Sequence, residues 1–207
     1  MIKFNLLIRA KIRYYFHIFA PACSSNNTNM KETVILDKKF REMISGDVIC
    51  KRIEEMAKEI NHDFKGKEVV FLGILNGAFL FAAELFKQID LKAKISFVKL
   101  ASYEGTRSSG SVKELIGWNE DIKGKTIIVI EDIVDTGHTL ERIIGELTIR
   151  NVAHIKIATL LFKPKAYTKK IPVDYAGFEI PNDFVVGYGL DYDGYGRNLP
   201  SVYTLVK

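Results

Sequence analysis

Cysteine is scarce in this chain of 207 residues, which contains only Cys23 and Cys50. The two lie far apart and form no CxxC motif, which argues against a disulfide scaffold or a zinc site and favours the reducing cytoplasm. Apolar residues make up 47% of the chain and charged residues 27%, which excludes disorder as the main state. The length predicts one compact domain with a short appendage.

Acidic residues are absent from the first thirty residues, which carry four basic ones: Lys3, Arg9, Lys11 and Arg13. The whole chain has 30 basic and 25 acidic residues and a net charge of +5; without those four, 26 basic residues remain and the net charge is +1. The isoelectric point near 9.0 is therefore mostly a property of this short segment. A global basic surface for nucleic acid is not indicated, so no nucleic-acid partner is expected.

Residues 1–30 allow three interpretations. Ala20–Cys23 resembles a cleavage or lipidation site, but basic residues interrupt the apolar region that a signal peptide requires. An amphipathic membrane anchor is the second interpretation. We favour the third, in which residues 1–30 are a disordered or dispensable extension and the working domain covers residues 31–207.

No stretch is apolar over the full thickness of a bilayer, which requires about 20 residues. Val69–Phe86 comes closest, but four residues divide it, namely Gly73, Asn76, Gly77 and Glu84. A buried strand, a glycine turn and a core-facing helix explain this segment better than a membrane span. We therefore expect no membrane partner.

Strand-like and helix-like segments alternate along the rest of the chain. The predicted helices are Asp47–Asn61, Ala78–Gln88 and His138–Arg150. The predicted strands are Glu68–Leu75, Ala93–Ala101, Thr126–Ile130 and His154–Phe162, with a loop or hairpin over Ser102–Gly117. Short apolar runs follow at Val173–Ala176, Phe184–Gly187 and Val202–Val206. This order predicts an α/β fold, a parallel twisted sheet flanked by helices, with the short-strand tail forming a smaller substructure over one edge.

Two adjacent carboxylates, Glu131 and Asp132, come directly after the predicted strand Thr126–Ile130. Parallel sheets bind ligands at the carboxyl ends of their strands, and paired buried acids are costly unless they bind a diol, a metal or an amine. The small polar turn 135–139, Asp-Thr-Gly-His-Thr, opens the next helix and offers N–H groups and hydroxyls to a phosphate. Together the two features describe a site for a phosphorylated sugar.

Simpler interpretations cover only part of this pattern. A helix N-cap would explain Asp135 or Thr136 alone, but not the acidic pair before them. The phosphate-binding patterns GxxxxGK[ST] and GxGxxG do not occur in the chain.

The segment Ile127–Leu140 resembles the phosphoribosyl-diphosphate signature of the type I phosphoribosyltransferases, in the form found in the hypoxanthine/guanine branch. Three further segments resemble this family: Gly73–Ala78 its pyrophosphate loop, Ser102–Tyr103 the start of its mobile catalytic loop, and Phe184–Asp191 its purine pocket. The resemblance runs from about Thr33 to Lys207. It implies the family's fold, with a hood of short strands formed mainly by residues 171–207 and the start of the domain.

The activity that the resemblance implies is purine salvage. A 5-phosphoribosyl group passes from phosphoribosyl diphosphate to hypoxanthine, guanine or both, giving IMP or GMP and pyrophosphate. A homodimer or homotetramer is implied as well. The alternatives are xanthine or adenine phosphoribosyl transfer, or a regulator that senses phosphoribosyl diphosphate and binds nucleic acid.

The same resemblance assigns roles to individual residues. Glu131 and Asp132 would bind the ribose hydroxyls, partly through Mg²⁺, and Asp191 would hold a second Mg²⁺. Asp135 would also handle the proton at purine N7 as general base or acid. The 5′-phosphate is assigned to Asp135, Thr136, Gly137, His138 and Thr139. Pyrophosphate is assigned to Leu75, Asn76, Gly77 and Arg197. Leu75–Asn76 is the candidate for a cis peptide that the family often carries, and an ordinary glycine turn after a strand is the alternative interpretation of this loop.

The purine and the closing loop account for the remaining assignments. Lys163 would donate to purine O6, and a solvated lysine is its simpler interpretation. Phe184 would stack on the base and Val185 would read its edge through the backbone, with core packing as the simpler interpretation of both. Ser102 and Tyr103 would close over the reaction and exclude water.

Overall fold

The computed structural model describes residues 31–100, 114–116 and 121–206. The expectations for residues 1–30, for the domain boundary that follows them, and for Ser102 and Tyr103 lie outside these ranges. Ten strands and three helices occur within them. The helices are α1 (Gly46–Asp63), α2 (Phe79–Phe86) and α3 (His138–Ile149). The strands are β1 (Glu32–Ile35), β2 (Lys38–Ile44), β3 (Glu68–Leu75), β4 (Lys92–Leu100), β5 (Glu114–Ile116), β6 (Thr126–Val134), β7 (His154–Phe162), β8 (Tyr175–Glu179), β9 (Val185–Val186) and β10 (Val202–Leu205).

Six strands form the large sheet, in the order β5-β4-β3-β6-β7-β8. All neighbours pair in parallel except β5, which runs antiparallel to β4. The central strands are apolar on both faces because helices cover both sides of the sheet. In β3, Val69 and Phe71 pack with α1 and α2, whereas Val70 and Leu72 pack with α3. The predicted parallel sheet flanked by helices is confirmed.

Four strands form a small antiparallel sheet, in the order β1-β2-β10-β9, which we call the hood. Its core contains Ile35, Phe40, Val186 and Tyr203. β1 and β2 were not among the predicted strands, because their alternation is obscured by charged residues. They pair across a two-residue turn, Leu36–Asp37, with Ile35 opposite Lys38.

β8 belongs to the large sheet, so the expectation that the whole tail forms a separate substructure is wrong for this strand. It starts at Tyr175, within the predicted run, and pairs in parallel with β7. Helix α1 holds it there: Arg52 donates to the carbonyls of Ala176 and Gly177, and the Tyr175 hydroxyl donates to Asp63. These contacts satisfy polar groups along an edge strand.

β6 runs four residues past its predicted end at Ile130. β7 continues to pair with it as far as Val134, whereas β3 pairs with it only up to Ile130. Glu131 and Asp132 therefore lie inside the strand rather than after it, just beyond the last residue of β6 that pairs with β3. No helix in the described part of the chain is long and apolar enough to cross a membrane.

Candidate active site

The acidic pair lies in β6, just beyond Ile130, the last residue of β6 that pairs with β3. Glu131 is 7% exposed, and its Oε2 atom has no hydrogen-bond partner among the described residues. Burial, reinforced by the neighbouring Asp132 carboxylate, raises the pKa of Glu131 well above its usual value. Burial also raises the pKa of Asp132 to about 6, although the N–H of Ile133 donates to its carboxylate at 2.9 Å. Glu131 therefore needs a cation or hydroxyl donors to ionise at neutral pH, and such a partner would also stabilise the ionised form of Asp132.

This donor set fits a Mg²⁺ ion shared with a phosphorylated ligand. No group of three metal-ligating side chains is preassembled among the described residues. Mg²⁺ commonly takes one or two carboxylates and completes its shell with water and substrate phosphates. The buried Oε2 atom of Glu131, which no described residue contacts with a hydrogen bond, is an acceptor that such an ion or a ribose hydroxyl would satisfy.

The turn after β6, residues 135–139, leads into helix α3. Gly137 is the N-cap of α3 and has a left-handed φ of 87°, so neither Asp135 nor Thr136 occupies the capping position. The first N–H groups of a helix have no partner within it and carry partial positive charge. Those of His138 and Thr139 lie in this first turn and can bind an anion.

Residues 167–169, which follow β7, pack against the outer side of this turn. The sequence analysis did not identify this segment. A Cβ atom at Gly137 would overlap the Tyr167 ring. Thr168 donates from its N–H and its hydroxyl to the Thr136 carbonyl, at 3.3 and 3.1 Å. This segment carries no motif, so no sequence signal could have identified it.

The predicted pyrophosphate loop, Leu75–Gly77, is enclosed by two other parts of the chain. The Leu75–Asn76 peptide is cis, as the family resemblance implies. A Cβ at Gly77 would overlap the Asp132 carboxylate, and a Cβ at Gly189 would overlap the Gly77 carbonyl oxygen. Gly189 has a φ of 100° and was missed, although its Gly-Tyr-Gly context was a usable signal. The loop thus lies against the Asp132 side chain on one side and the backbone of Gly189 on the other.

Asp191 and Arg197 lie together beside this loop. Arg197 Nη2 is 2.6 Å from Asp191 Oδ1, and its Nη1 donates to the Gly189 carbonyl at 2.6 Å. The N–H of Gly194 donates to Asp191 Oδ2 at 2.6 Å. The charges of Arg197 and Asp191 also act on the pKa of Asp132, in opposite directions, after the larger effect of burial. The predicted metal and pyrophosphate residues are therefore one electrostatic cluster.

Lys163 is buried and bonded to Asp135. It is 7% exposed, and its Nζ atom lies 2.8 Å from Asp135 Oδ2. Lys165, two residues later, is exposed. The interpretation of Lys163 as a solvated lysine is therefore wrong, because a buried ammonium requires a partner and has one here. The pair joins the carboxyl end of β7 to the anion-binding turn.

Phe184 and Val185 stand at the start of β9, the edge strand of the hood. Phe184 is 45% exposed, whereas Val185 is buried. Val185 lies opposite Thr204 of β10, and among the described strands β9 has no partner on its other side. The arrangement exposes an aromatic face beside an edge strand, and the simple core interpretation does not fit Phe184.

Comparisons with known proteins agree with this geometry. A family model described as the phosphoribosyl transferase domain matches residues 45–193. The hypoxanthine-guanine phosphoribosyltransferase of Lactococcus lactis is 42% identical over 172 residues, which cover 82% of this chain and 93% of that protein. Its counterpart in Aquifex aeolicus is 38% identical over 178 residues, covering 85% and 99%. The crystal structure of a hypoxanthine phosphoribosyltransferase from Staphylococcus aureus superposes with a TM-score of 0.75 at 36% identity, covering 90% of this chain and 97% of that one.

Proposed function

Because this chain belongs to the phosphoribosyl transferase family, we propose that it is a purine-salvage enzyme that transfers 5-phosphoribosyl from phosphoribosyl diphosphate to hypoxanthine or guanine, releasing pyrophosphate. The observation that carries the choice of base is the buried Lys163 bonded to Asp135 beside the anion-binding turn. The proposal includes a cytoplasmic location and a homodimer or homotetramer, whose mass light scattering would measure.

Three parts of the site would bind the phosphorylated sugar. The turn 135–139 would take the 5′-phosphate through the N–H groups and hydroxyls of Thr136, Gly137, His138 and Thr139. The loop formed by Leu75, Asn76 and Gly77 would take the pyrophosphate together with Arg197. The ribose lies between them, with its hydroxyls on the Glu131–Asp132 pair. Holding both ends of the donor aligns its C1 atom with the base.

Glu131, Asp132 and Asp191 would hold Mg²⁺ jointly with oxygens of the donor. When bound, the metal neutralises charge that develops on the departing pyrophosphate. Arg197 contributes a fixed positive charge at the same place, and the Gly189 carbonyl orients its guanidinium. The neutralisation of leaving-group charge is a large contribution to catalysis in a site that excludes water.

Base recognition and proton transfer are linked through one ion pair. Lys163 would donate to purine O6, and Asp135 would take the proton from N7 as the new bond to ribose forms. Lys163 has donors only, so it pairs with the carbonyl of hypoxanthine or guanine and not with the amino group of adenine. Phe184 would stack on the ring, and the backbone of Val185 would read its edge. Ser102 and Tyr103 would close the site.

A spectrophotometric assay with phosphoribosyl diphosphate, Mg²⁺ and each of four purines tests the proposal. We expect turnover with hypoxanthine or guanine and little with adenine. A preference for xanthine or adenine would replace the substrate assignment. Absence of turnover with all four bases, combined with nucleic-acid binding that responds to phosphoribosyl diphosphate, would favour the regulator instead.

A further inference from the structure

Only part of the Phe184 ring is held by the protein. The side chain is 45% exposed, and its two aromatic neighbours are Phe40 and Tyr192, with ring centroids at 6.3 and 6.0 Å. The outer torsion of a phenylalanine is broad, so the ring keeps one orientation only where neighbours impose it. The orientation of the exposed face therefore depends on these two rings and on Lys38, whose Nζ atom lies 6.0 Å from the Phe184 ring centroid.

The two neighbours are fixed in different ways. Phe40 is completely buried in the hood core, so packing alone fixes it. Tyr192 is only partly buried, and its ring stands at 85° to that of Phe184. Its hydroxyl donates to Asp37 Oδ1 at 2.9 Å, and Lys38 Nζ lies 4.3 Å from its ring centroid. Asp37, in the turn between β1 and β2, and Lys38, at the start of β2, thus act on Tyr192 together with its packing against Phe40.

Tyr192 is also tied to the pyrophosphate side of the site. It follows Asp191 directly, and it exchanges two backbone hydrogen bonds with Tyr195, at 2.9 and 3.0 Å. These bonds fix the backbone of Tyr192. Its ring packs against Phe40, with centroids 6.3 Å apart, and the hydroxyl adds a polar restraint at the far end of the side chain. The Asp37 contact supplies that restraint from a position 155 residues away in the chain.

We propose that Tyr192 is a positioning residue for the purine: anchored through its hydroxyl to Asp37, it holds the Phe184 ring in the orientation that stacks on the base. The inference rests on the proposed function. Stacking depends on the orientation of the ring, so a loosened Phe184 binds the base less tightly. Contacts to phosphoribosyl diphosphate come from other residues and are unaffected. The turn between β1 and β2 therefore contributes to base affinity without touching the base.

The test uses Tyr192→Phe, which keeps the ring and removes only the hydroxyl. We expect the KM for hypoxanthine and guanine to rise about two- to tenfold, the range that corresponds to one lost hydrogen bond. The KM for phosphoribosyl diphosphate and kcat should change less than the base KM does. Tyr195→Phe is the matched control, because Tyr195 lies on the same turn and is 61% exposed.

Changes at Asp37 separate positioning from general stability. Asp37→Ala should raise the base KM as Tyr192→Phe does, and the double variant should be no worse than either single one, because both remove the same bond. Asp37→Asn keeps an acceptor oxygen and should restore most of the base affinity. Melting temperatures of all variants show whether folding is intact.

The outcomes distinguish this inference from the proposed function. A wild-type protein without activity on any purine would overturn both. An active wild type whose Tyr192→Phe variant has an unchanged base KM would overturn the positioning role alone. Equal rises in KM for base and phosphoribosyl diphosphate, or additive effects of the two changes, would assign Tyr192 a purely structural role.

Discussion

Asp135 is a carboxylate inside the turn 135–139, which the proposed function assigns to the 5′-phosphate, and the ammonium of Lys163 at 2.8 Å offsets its charge. On the proposed mechanism this carboxylate moves the purine proton. We expect Asp135→Asn, which keeps the size of the side chain, to lower kcat about 10²- to 10⁴-fold, the usual contribution of general acid–base catalysis. The KM for phosphoribosyl diphosphate should change much less, as steady-state kinetics would show.

Asp121→Asn provides the control, because Asp121 is exposed and precedes the opposite end of β6. It should leave both constants unchanged. Unaltered turnover in Asp135→Asn would remove this residue from the chemistry.

Lys163 is expected to decide which purines react. Lys163→Gln presents both a donor and an acceptor, so the preference for hypoxanthine over adenine should shrink, because a buried polar site rejects bases that leave its groups unpaired. The measurement is kcat/KM for hypoxanthine, guanine and adenine. Lys165→Gln, at an exposed lysine two residues later, is the control. An unchanged ratio of hypoxanthine to adenine would place the selector elsewhere.

Asp132 is expected to make the stability of the ligand-free protein fall with rising pH. Burial raises its pKa from 3.8 to about 6 on folding. The folded state therefore keeps this proton longer than the unfolded state, and stability is lost as the pH rises through this interval and stays lost above it. Asp132→Asn removes the free-energy cost of ionising this buried carboxyl. The variant should therefore be more stable than the wild type above pH 6, by at most about 3 kcal/mol.

Denaturant unfolding at pH 4.5 and pH 8 in a chelator, for wild type and Asp132→Asn, measures this difference. The gain should be larger at pH 8, and activity should be lost because Asp132 belongs to the proposed ribose and metal site. Equal gains at both values would show that the carboxylate does not titrate as its burial requires.

At the scale of elements, the contact between the hood and the loop Leu75–Gly77 should be intolerant of a single methyl group. Gly189→Ala combines a φ of 100° with overlap on the Gly77 carbonyl. We expect a rise in the KM for phosphoribosyl diphosphate, because the loop must move. Gly66→Ala shares the positive φ but has open space around the new Cβ, so it should cost stability without this change in KM.

Sequence patterns identified the central elements because burial on both faces leaves a strong signal. β3, β6 and β7 are nearly continuous apolar runs, and α1 and α3 carry a clear apolar face. The end of β6 was placed too early because Glu131 and Asp132 interrupt that run. Their place in the strand depends on pairing with β7, which is a property of the sheet and not of the local sequence.

The parts of the candidate site that are defined by residue type and order along the chain were predictable from the sequence. The parts that depend on contacts between residues distant in the chain were not. The acidic pair and the turn 135–139 are contiguous, so their pattern is visible in the sequence. Whether Lys163 was buried was not decidable, because several lysines follow it. The approach of Gly189 to Gly77 joins residues more than a hundred positions apart and is visible only once the hood is folded.

At the scale of the whole molecule, the composition change near residue 30 predicts that a chain starting at Met30 keeps its fold and activity. The first described strand, β1, begins at Glu32, and it pairs with β2 inside the hood. We expect the melting temperature and kcat/KM of the shortened chain to match those of the full chain. Unfolding or loss of activity would make residues 1–30 part of the structure. Flotation of both forms with anionic vesicles tests the anchor interpretation.

The bond between Lys163 and Asp135 couples two traits that natural selection would otherwise adjust separately. On the proposed mechanism Lys163 determines which bases the enzyme accepts, and Asp135 determines its turnover rate. A substitution of Lys163 that broadens base specificity also removes the cation beside Asp135, and it therefore slows the proposed proton transfer. A population selected for adenine use would therefore cross a fitness valley, in which the first mutation lowers turnover before a second one restores it.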